Sequence, residues 1–187
     1  MGLIGAGKFG SMFLSQIPTS RGLKVGVIAD LDVDGAKQRC RDVGWSNERI
    51  ASTRFMDNAY AMCEDAAIDV VVEATGDPVI GVAHADAAIK AGLHIVMVNV
   101  EADVLAGALM ARKAKAAGVV YSMAYGDQPA LICELVEWAQ ACGFDVVAAG
   151  KGTKYLASYH SSTPDTVWEH YGPVSYTHLT LPTNRAV

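Results

Sequence analysis

Short apolar runs and longer alanine-rich stretches alternate along most of this chain. The runs rich in β-branched residues predict buried parallel strands, and the stretches between them predict helices. After a short apolar start before residue 5, we expect strands at residues 23–29, 69–74, 94–100, 119–123 and 145–149. Helices are expected at residues 8–17, 33–43, 79–91, 102–117 and 129–142. Such alternation predicts right-handed βαβ crossovers and a doubly wound, mostly parallel α/β sheet.

A glycine-rich turn follows the first apolar segment. Gly5, Gly7 and Gly10 form a GxGxxG pattern that opens a predicted helix, and Asp30 ends the next strand twenty residues later. In a Rossmann fold, these glycines permit a tight turn, a close approach of the pyrophosphate and close helix packing, while the acid binds the ribose. The helix N-terminus offers unpaired N–H groups to phosphate. The cofactor-binding residues predicted from this motif are Gly5, Gly7, Lys8, Phe9, Gly10 and Asp30, and the predicted cofactor is NAD(P).

Polar residues also follow two later strands. Thr75 and Gly76 are predicted to lie beside the cofactor, although an ordinary Asp-Pro turn explains the same segment. Asn99 is predicted to bind a nicotinamide or ribose group. Glu101 is either a catalytic carboxylate or a charge in the first turn of a helix, where an acid is favourable in any case. The sequence leaves that choice open.

The densest polar cluster follows the last predicted strand. Lys151 and Lys154 stand among glycines, and His160 comes shortly after them. The lysines suit an anionic substrate group, a lysine can polarise a carbonyl during hydride transfer, and a histidine can move protons. The alternative is a solvated basic loop.

Composition narrows the choice of partners. The 187 residues are 51% hydrophobic and 19% charged, and the net charge of −5 argues against binding to nucleic acid or to an anionic membrane surface. No apolar run reaches the roughly 18 residues that a membrane span needs. No spacing of His, Cys, Asp and Glu predicts a metal site. The four cysteines (Cys40, Cys63, Cys133 and Cys142) are expected to be small buried side chains in a reducing, cytoplasmic protein.

The last residues are expected to be foreign to the fold. Residues 174–183 back-translate to a sequence that resembles a transposase adapter used in sequencing libraries, so residues 174–187 are set aside as an adapter-derived tail. We therefore expect a fragment with a dinucleotide-binding domain at residues 1–150 and the start of a truncated substrate domain at residues 151–173.

Several segments together resemble one family. They are GLIGAGKFG at residues 2–10, EATG at 73–76, NVEAD at 99–103, AYGDQPALICELVEWA at 124–139 and GKGTKYLASYHSSTPDTVW at 150–168. These resemble the homoserine dehydrogenase-like NAD(P)-dependent oxidoreductases with a C-terminal SAF domain, a group that includes 1-deoxy-D-xylulose 5-phosphate reductoisomerase-like and D-apionate oxidoisomerase-like enzymes. The resemblance implies hydride transfer, sometimes coupled to isomerisation of an anionic sugar derivative, with Lys151 and Lys154 at the catalytic entrance. We also expect a homo-oligomer at full length.

Three questions stay open at this point. Asp30 disfavours the 2′-phosphate of NADP, but Lys37, Arg39 and Arg41 lie close enough in sequence to offset its charge. A non-catalytic dinucleotide-binding or sensing module is the alternative to an oxidoreductase, although such a module would not need the lysine cluster. A sugar-phosphate lyase or isomerase is a further alternative, but it would not need the paired glycine motif and Asp30.

Overall fold

The computed structural model describes residues 1–65, 67–124, 128–150, 160–161, 163 and 165–166, and of residues 128–130 only the backbone. It divides into two compact units, residues 1–131 and 132–187. Within the described residues the element order is β1 (Gly2–Ile4), α1 (Lys8–Gln16), β2 (Val27–Ala29), α2 (Val33–Asp42), α3 (Asn47–Ser52), β3 (Arg54–Met56), α4 (Ala59–Cys63), β4 (Val70–Glu73), α5 (Pro78–Lys90), β5 (His94–Met97), α6 (Val100–Ala117), β6 (Tyr121–Met123) and α7 (Gln128–Ala141).

The first unit contains a six-stranded sheet in the order β3-β2-β1-β4-β5-β6, with every neighbouring pair parallel. Strand β1 is central, with Leu3 opposite Ile28 of β2 on one side and Val72 of β4 on the other. This is the strand order of a doubly wound dinucleotide-binding fold. The predicted fold class is confirmed.

Helices cover both faces of this sheet. Successive strand residues point to opposite sides, and buried apolar residues on each side pack against helices. Leu3, Ile28 and Val72 belong to a buried cluster with residues of α1, α2 and α3. Ile4 and Val71 belong to a second cluster with residues of α4, α5 and α6. The chain therefore leaves β1 toward one face and β4 toward the other, which opens a crevice between the two following loops.

Three expectations about the elements are wrong. Residues 145–149, all of them described, form no strand, and Val147 is 96% exposed. Strand β5 ends at Met97, because Asn99 caps α6 and the helix begins at Val100. The structure also adds β3, with α3 before it and α4 after it, where no strand was predicted.

The cysteines divide into two pairs. Cys40 and Cys63 are buried as predicted, and burial raises the pKa of each thiol to about 11. These two side chains therefore stay protonated and pack as small apolar groups. Cys133 and Cys142 are exposed, so the expectation of burial is wrong for them.

Candidate cofactor site

The glycine-rich loop between β1 and α1 leaves no room for a side chain at Gly5 and Gly10. Gly5 has φ +87°, and a Cβ there would lie 2.9 Å from the carbonyl oxygen of Ala74. A Cβ on Gly10 would overlap the carbonyl oxygen of Gly5. Both positions therefore require glycine, because the obstructing atoms belong to the backbone and cannot rotate away.

Gly7 differs from its two partners. Within the described chain, no atom lies within 4 Å of the Cβ that could be built on Gly7. Gly7 is also the N-cap residue of α1, and it supplies no side chain to cap the helix. Open space therefore lies beside the N-cap of a helix whose first amides have no side-chain cap, and such an uncapped N-terminus suits an anion. Lys8 and Phe9, both exposed, form the start of that first turn.

Asp30, directly after β2, contacts the same loop. Its Oδ2 accepts a 2.8 Å hydrogen bond from the Ala6 amide, and its Oδ1 accepts a 2.9 Å bond from the Asp32 amide. Nη1 of Arg39, a residue of α2, lies 3.8 Å from Asp30 Oδ2, and Nη2 lies 3.8 Å from Asp32 Oδ2. Asp30 therefore holds the glycine loop as well as lining the crevice.

The crevice is a cavity of about 820 Å³ within the first unit. Its walls come from the ends of four strands: the glycine loop, the segment after β2, the segment after β3 and the turn after β4. Its lining residues include Gly5, Gly7, Asp30, Arg39, Asn58, Tyr60, Thr75, Asp77, Ile80 and His84. The carboxyl ends of parallel strands are where doubly wound sheets bind ligands.

The turn after β4 is held by side chains. Thr75 donates its hydroxyl to Glu73 Oε1 at 2.5 Å, and Asn99 Nδ2 donates to the Asp77 carbonyl at 2.8 Å. Asn99 Oδ1 accepts from the Ala102 amide, so this buried amide caps α6. The structure thus gives Asn99 a capping role; its predicted contact with the cofactor stays a prediction. Gly76 lies in the same turn.

The predicted catalytic residues are distributed differently. Glu101 is partly buried in the first turn of α6, where its charge favours the helix. His160 is exposed and belongs to the second unit. Lys151 and Lys154 lie outside the described residues. The catalytic roles of all four stay predictions.

Sequence reasoning missed the pocket residues that follow β3 and those on α5. Asn58 caps α4 by accepting from the amides of Tyr60 and Ala61. Tyr60 stacks edge-on against His84, with 5.3 Å between the ring centroids. Asn58 is a favourable N-cap residue and could have marked the start of α4, whereas nothing in the sequence distinguished His84 from other residues of its helix.

The described residues contain no group of three His, Cys, Asp or Glu side chains arranged to hold a metal ion. In the same part of the chain, no helix combines the length and the apolar character needed to cross a bilayer.

Family comparisons agree with this geometry. The family profile of the homoserine dehydrogenase NAD-binding domain matches residues 5–123, more than half of the chain. The chain belongs to this family. A second profile, the catalytic domain of oxidoreductase DRL, matches residues 126–177. A comparison with curated proteins found no match.

Solved structures share the fold at low sequence identity. A homoserine dehydrogenase from Thiobacillus denitrificans is 22% identical with a TM-score of 0.61, over 75% of this chain and 33% of its own. The WlbA dehydrogenase from Bordetella pertussis, in complex with NADH and UDP-GlcNAcA, is 20% identical with a TM-score of 0.56, over 76% and 42%. An NAD-binding oxidoreductase from Klebsiella pneumoniae is 22% identical with a TM-score of 0.55, over 76% and 38%. The chain thus spans between about a third and two fifths of each of these proteins.

NAD(P) is the cofactor of this domain, and the residues present fit it. The space at Gly7 would be filled by a Cβ, the α1 N-terminus has no side-chain cap, and Asp30 lines the same cavity. These are the requirements of a pyrophosphate and a ribose. The predicted cofactor is confirmed; the contacts of individual residues with it stay predictions.

Proposed function

We propose that this chain is the dinucleotide-binding part of an NAD(P)-dependent oxidoreductase that acts on a small anionic sugar derivative. The observation that carries the proposal is the open space at Gly7, which faces the uncapped N-terminus of α1 in a cavity that also exposes Asp30. When bound, the nicotinamide accepts or supplies a hydride. The chain's own residues bind the cofactor, orient it and exclude water.

The two walls of the cavity are proposed to contact different parts of the cofactor. The backbone amides of the α1 first turn receive the pyrophosphate, and Asp30 accepts hydrogen bonds from a ribose. Across the cavity, Thr75 and the rest of the β4–α5 turn limit the space beside the cofactor. Asn99 holds this turn in place through its hydrogen bond to the Asp77 carbonyl.

The proposal about the substrate rests on the second family match, that to the catalytic domain of oxidoreductase DRL. A catalytic-domain profile over residues 126–177 supports an enzyme over a sensing module. Lys151 and Lys154 are proposed to bind an anionic group and to polarise the reacting carbonyl, and His160 is proposed to move protons. Coupled isomerisation, a SAF domain, a homo-oligomer and a cytoplasmic location belong to the same proposal, on the resemblance and the cysteine content.

The substrate side is tested in the full-length enzyme with its catalytic region. Lys154→Met is expected to lower kcat by about two to three orders of magnitude, as removal of an oxyanion donor does. Lys151→Met is expected to raise KM for an anionic substrate more than it lowers kcat. Lys115→Met, a change in the last turn of α6, is the control. Near-normal kinetics for both lysine variants would favour the alternative, in which this segment is a solvated loop with no catalytic role.

A further inference from the structure

The last residue of β4 is a fully buried carboxylate. Glu73 is 0% exposed, although it follows the apolar run Val70–Val72. Its Oε2 has no hydrogen-bond partner among the residues that the structure describes. A buried carboxylate with an unpaired oxygen is costly, so its presence at this place calls for a physical reason.

The other oxygen of Glu73 gathers three contacts. Oε1 accepts from the Thr75 hydroxyl at 2.5 Å and from the Thr75 amide at 3.3 Å, and Nδ1 of His84 lies 3.3 Å away. The carboxylate therefore binds the backbone and the side chain of Thr75 together. A charged acceptor makes shorter and stronger hydrogen bonds than a neutral one.

The glycine at position 81 makes room for this arrangement. A Cβ on Gly81 would lie 3.1 Å from Glu73 Oε2 and 2.7 Å from Asn99 Nδ2. Asn99 in turn donates to the Asp77 carbonyl. Two buried polar side chains thus converge beneath one turn, one at each end of it.

We infer that Glu73 is a positioning residue for the cofactor: it fixes Thr75 at the cavity wall, while Asn99 fixes the other end of the same turn at Asp77. The inference rests on the proposed cofactor site. Thr75, Asp77 and His84 all line that cavity, so three groups attached to this buried network lie where they would contact a dinucleotide. Glu73 itself touches no solvent and acts through Thr75.

The test is a double-mutant cycle on the full chain, read as the Kd for NADH and for NADPH by calorimetry. Glu73→Met and Thr75→Val, which remove the acceptor and the donor, are each expected to weaken binding about five- to tenfold, the worth of one well-placed hydrogen bond. Combined, they are expected to weaken it no more than the larger single change, since both remove the same contact. Effects that multiply would overturn the inference.

Two further variants separate positioning from general destabilisation. Thr75→Ser keeps the hydroxyl and is expected to bind NADH within about twofold of the parent, which also keeps the test usable if Glu73→Met does not fold. Ile89→Val changes a buried residue of α5. It lies about 16 Å along the helix from Pro78 and is expected to leave Kd unchanged. Equal binding by Thr75→Ser and Thr75→Val would contradict the inference.

A readout without cofactor separates this inference from the proposed function. Amide hydrogen exchange in the free chain is expected to become about tenfold faster at Thr75–Asp77 in Thr75→Val and Glu73→Met, but not in Ile89→Val. If the parent binds neither NADH nor NADPH, the cofactor site and the inference both fail. If the parent binds and the turn exchanges at the parent's rate in both variants, only the positioning role fails.

Discussion

The two walls of the cofactor cavity are built by opposite means. The glycine loop after β1 is fixed by the absence of side chains: Gly5 and Gly10 pack backbone against backbone, and Gly7 leaves space. The turn after β4 is fixed by buried polar side chains, those of Glu73 and Asn99. The packed glycines of the first wall, Gly5 and Gly10, tolerate no added atom, whereas a wall held by hydrogen bonds depends on every donor and acceptor remaining in place.

The largest expected effect breaks the first wall. Gly10→Val is expected to lower the free energy of unfolding by about 3 kcal/mol or more, because the new Cβ overlaps the Gly5 carbonyl oxygen and displaces backbone. Urea unfolding of the full chain measures this. Gly26→Ala is the control, because no described atom lies within 4 Å of its added Cβ. If the free energy of unfolding falls equally in the two variants, close packing against the Gly5 carbonyl is not what requires glycine at position 10.

The second wall is broken at Asn99. Asn99→Ala removes the N-cap of α6 and the side-chain donor to the Asp77 carbonyl, which keeps only its hydrogen bond from the Gly81 amide. We expect the free energy of unfolding to fall by about 2 kcal/mol, from a lost cap together with a lost hydrogen bond. Urea unfolding is again the measurement, with Asn58→Ala, the cap of the shorter helix α4, as the comparison. A loss at Asn99 no greater than that at Asn58 would contradict a double role.

These two walls also differ in how far the sequence predicts them. The glycine spacing predicts the first wall, because the need for small residues appears at fixed positions in the chain. The second wall depends on Glu73, Asn99 and Gly81, which come together only when β4, α5 and β5 are packed. Asn99 could not be identified as a cap while residues 94–100 were expected to form one strand.

The misplaced elements have a similar cause. Residues 145–149 have the β-branched pattern of a buried strand, yet Val147 is 96% exposed, so local pattern did not determine burial. Strand β3 was missed because it is only three residues long and starts with the exposed Arg54. The sequence pattern predicted the elements best where a long periodic helix ends at a glycine, as α6 does at Gly118.

A smaller effect sharpens the comparison without harming the fold. Gly7→Val is expected to change the free energy of unfolding by less than about 0.5 kcal/mol, because the added atoms meet open space. The same atoms occupy the space of the pyrophosphate, so Kd for NADH or NADPH is expected to rise about tenfold or more. Titration calorimetry and urea unfolding measure the two quantities. Unchanged affinity would show that the pyrophosphate binds elsewhere.

The smallest expected effect concerns the choice between NAD and NADP. Arg39 faces both Asp30 and Asp32, and its Nη1 has no hydrogen-bond partner within the described ranges. Arg39→Gln is expected to raise Kd for NADPH about fivefold relative to NADH, because the guanidinium offsets the charge of Asp30 beside the 2′-phosphate. Arg41→Gln is the control, since Arg41 donates to Gln38 along α2. If Arg39→Gln and Arg41→Gln show the same ratio of Kd for NADPH to Kd for NADH, Arg39 does not influence the choice of cofactor.

The most direct test of the central claim is a titration of the isotope-labelled full chain with NADH, followed through backbone amide chemical shifts. We predict that the largest shift changes fall at both walls of one cavity, at residues 5–10, 30–32 and 75–77. Residues at the far ends of the helices, such as Lys90 and Lys115, are expected to stay unchanged. Shift changes confined to another surface, or none at saturating NADH and NADPH, would contradict the account.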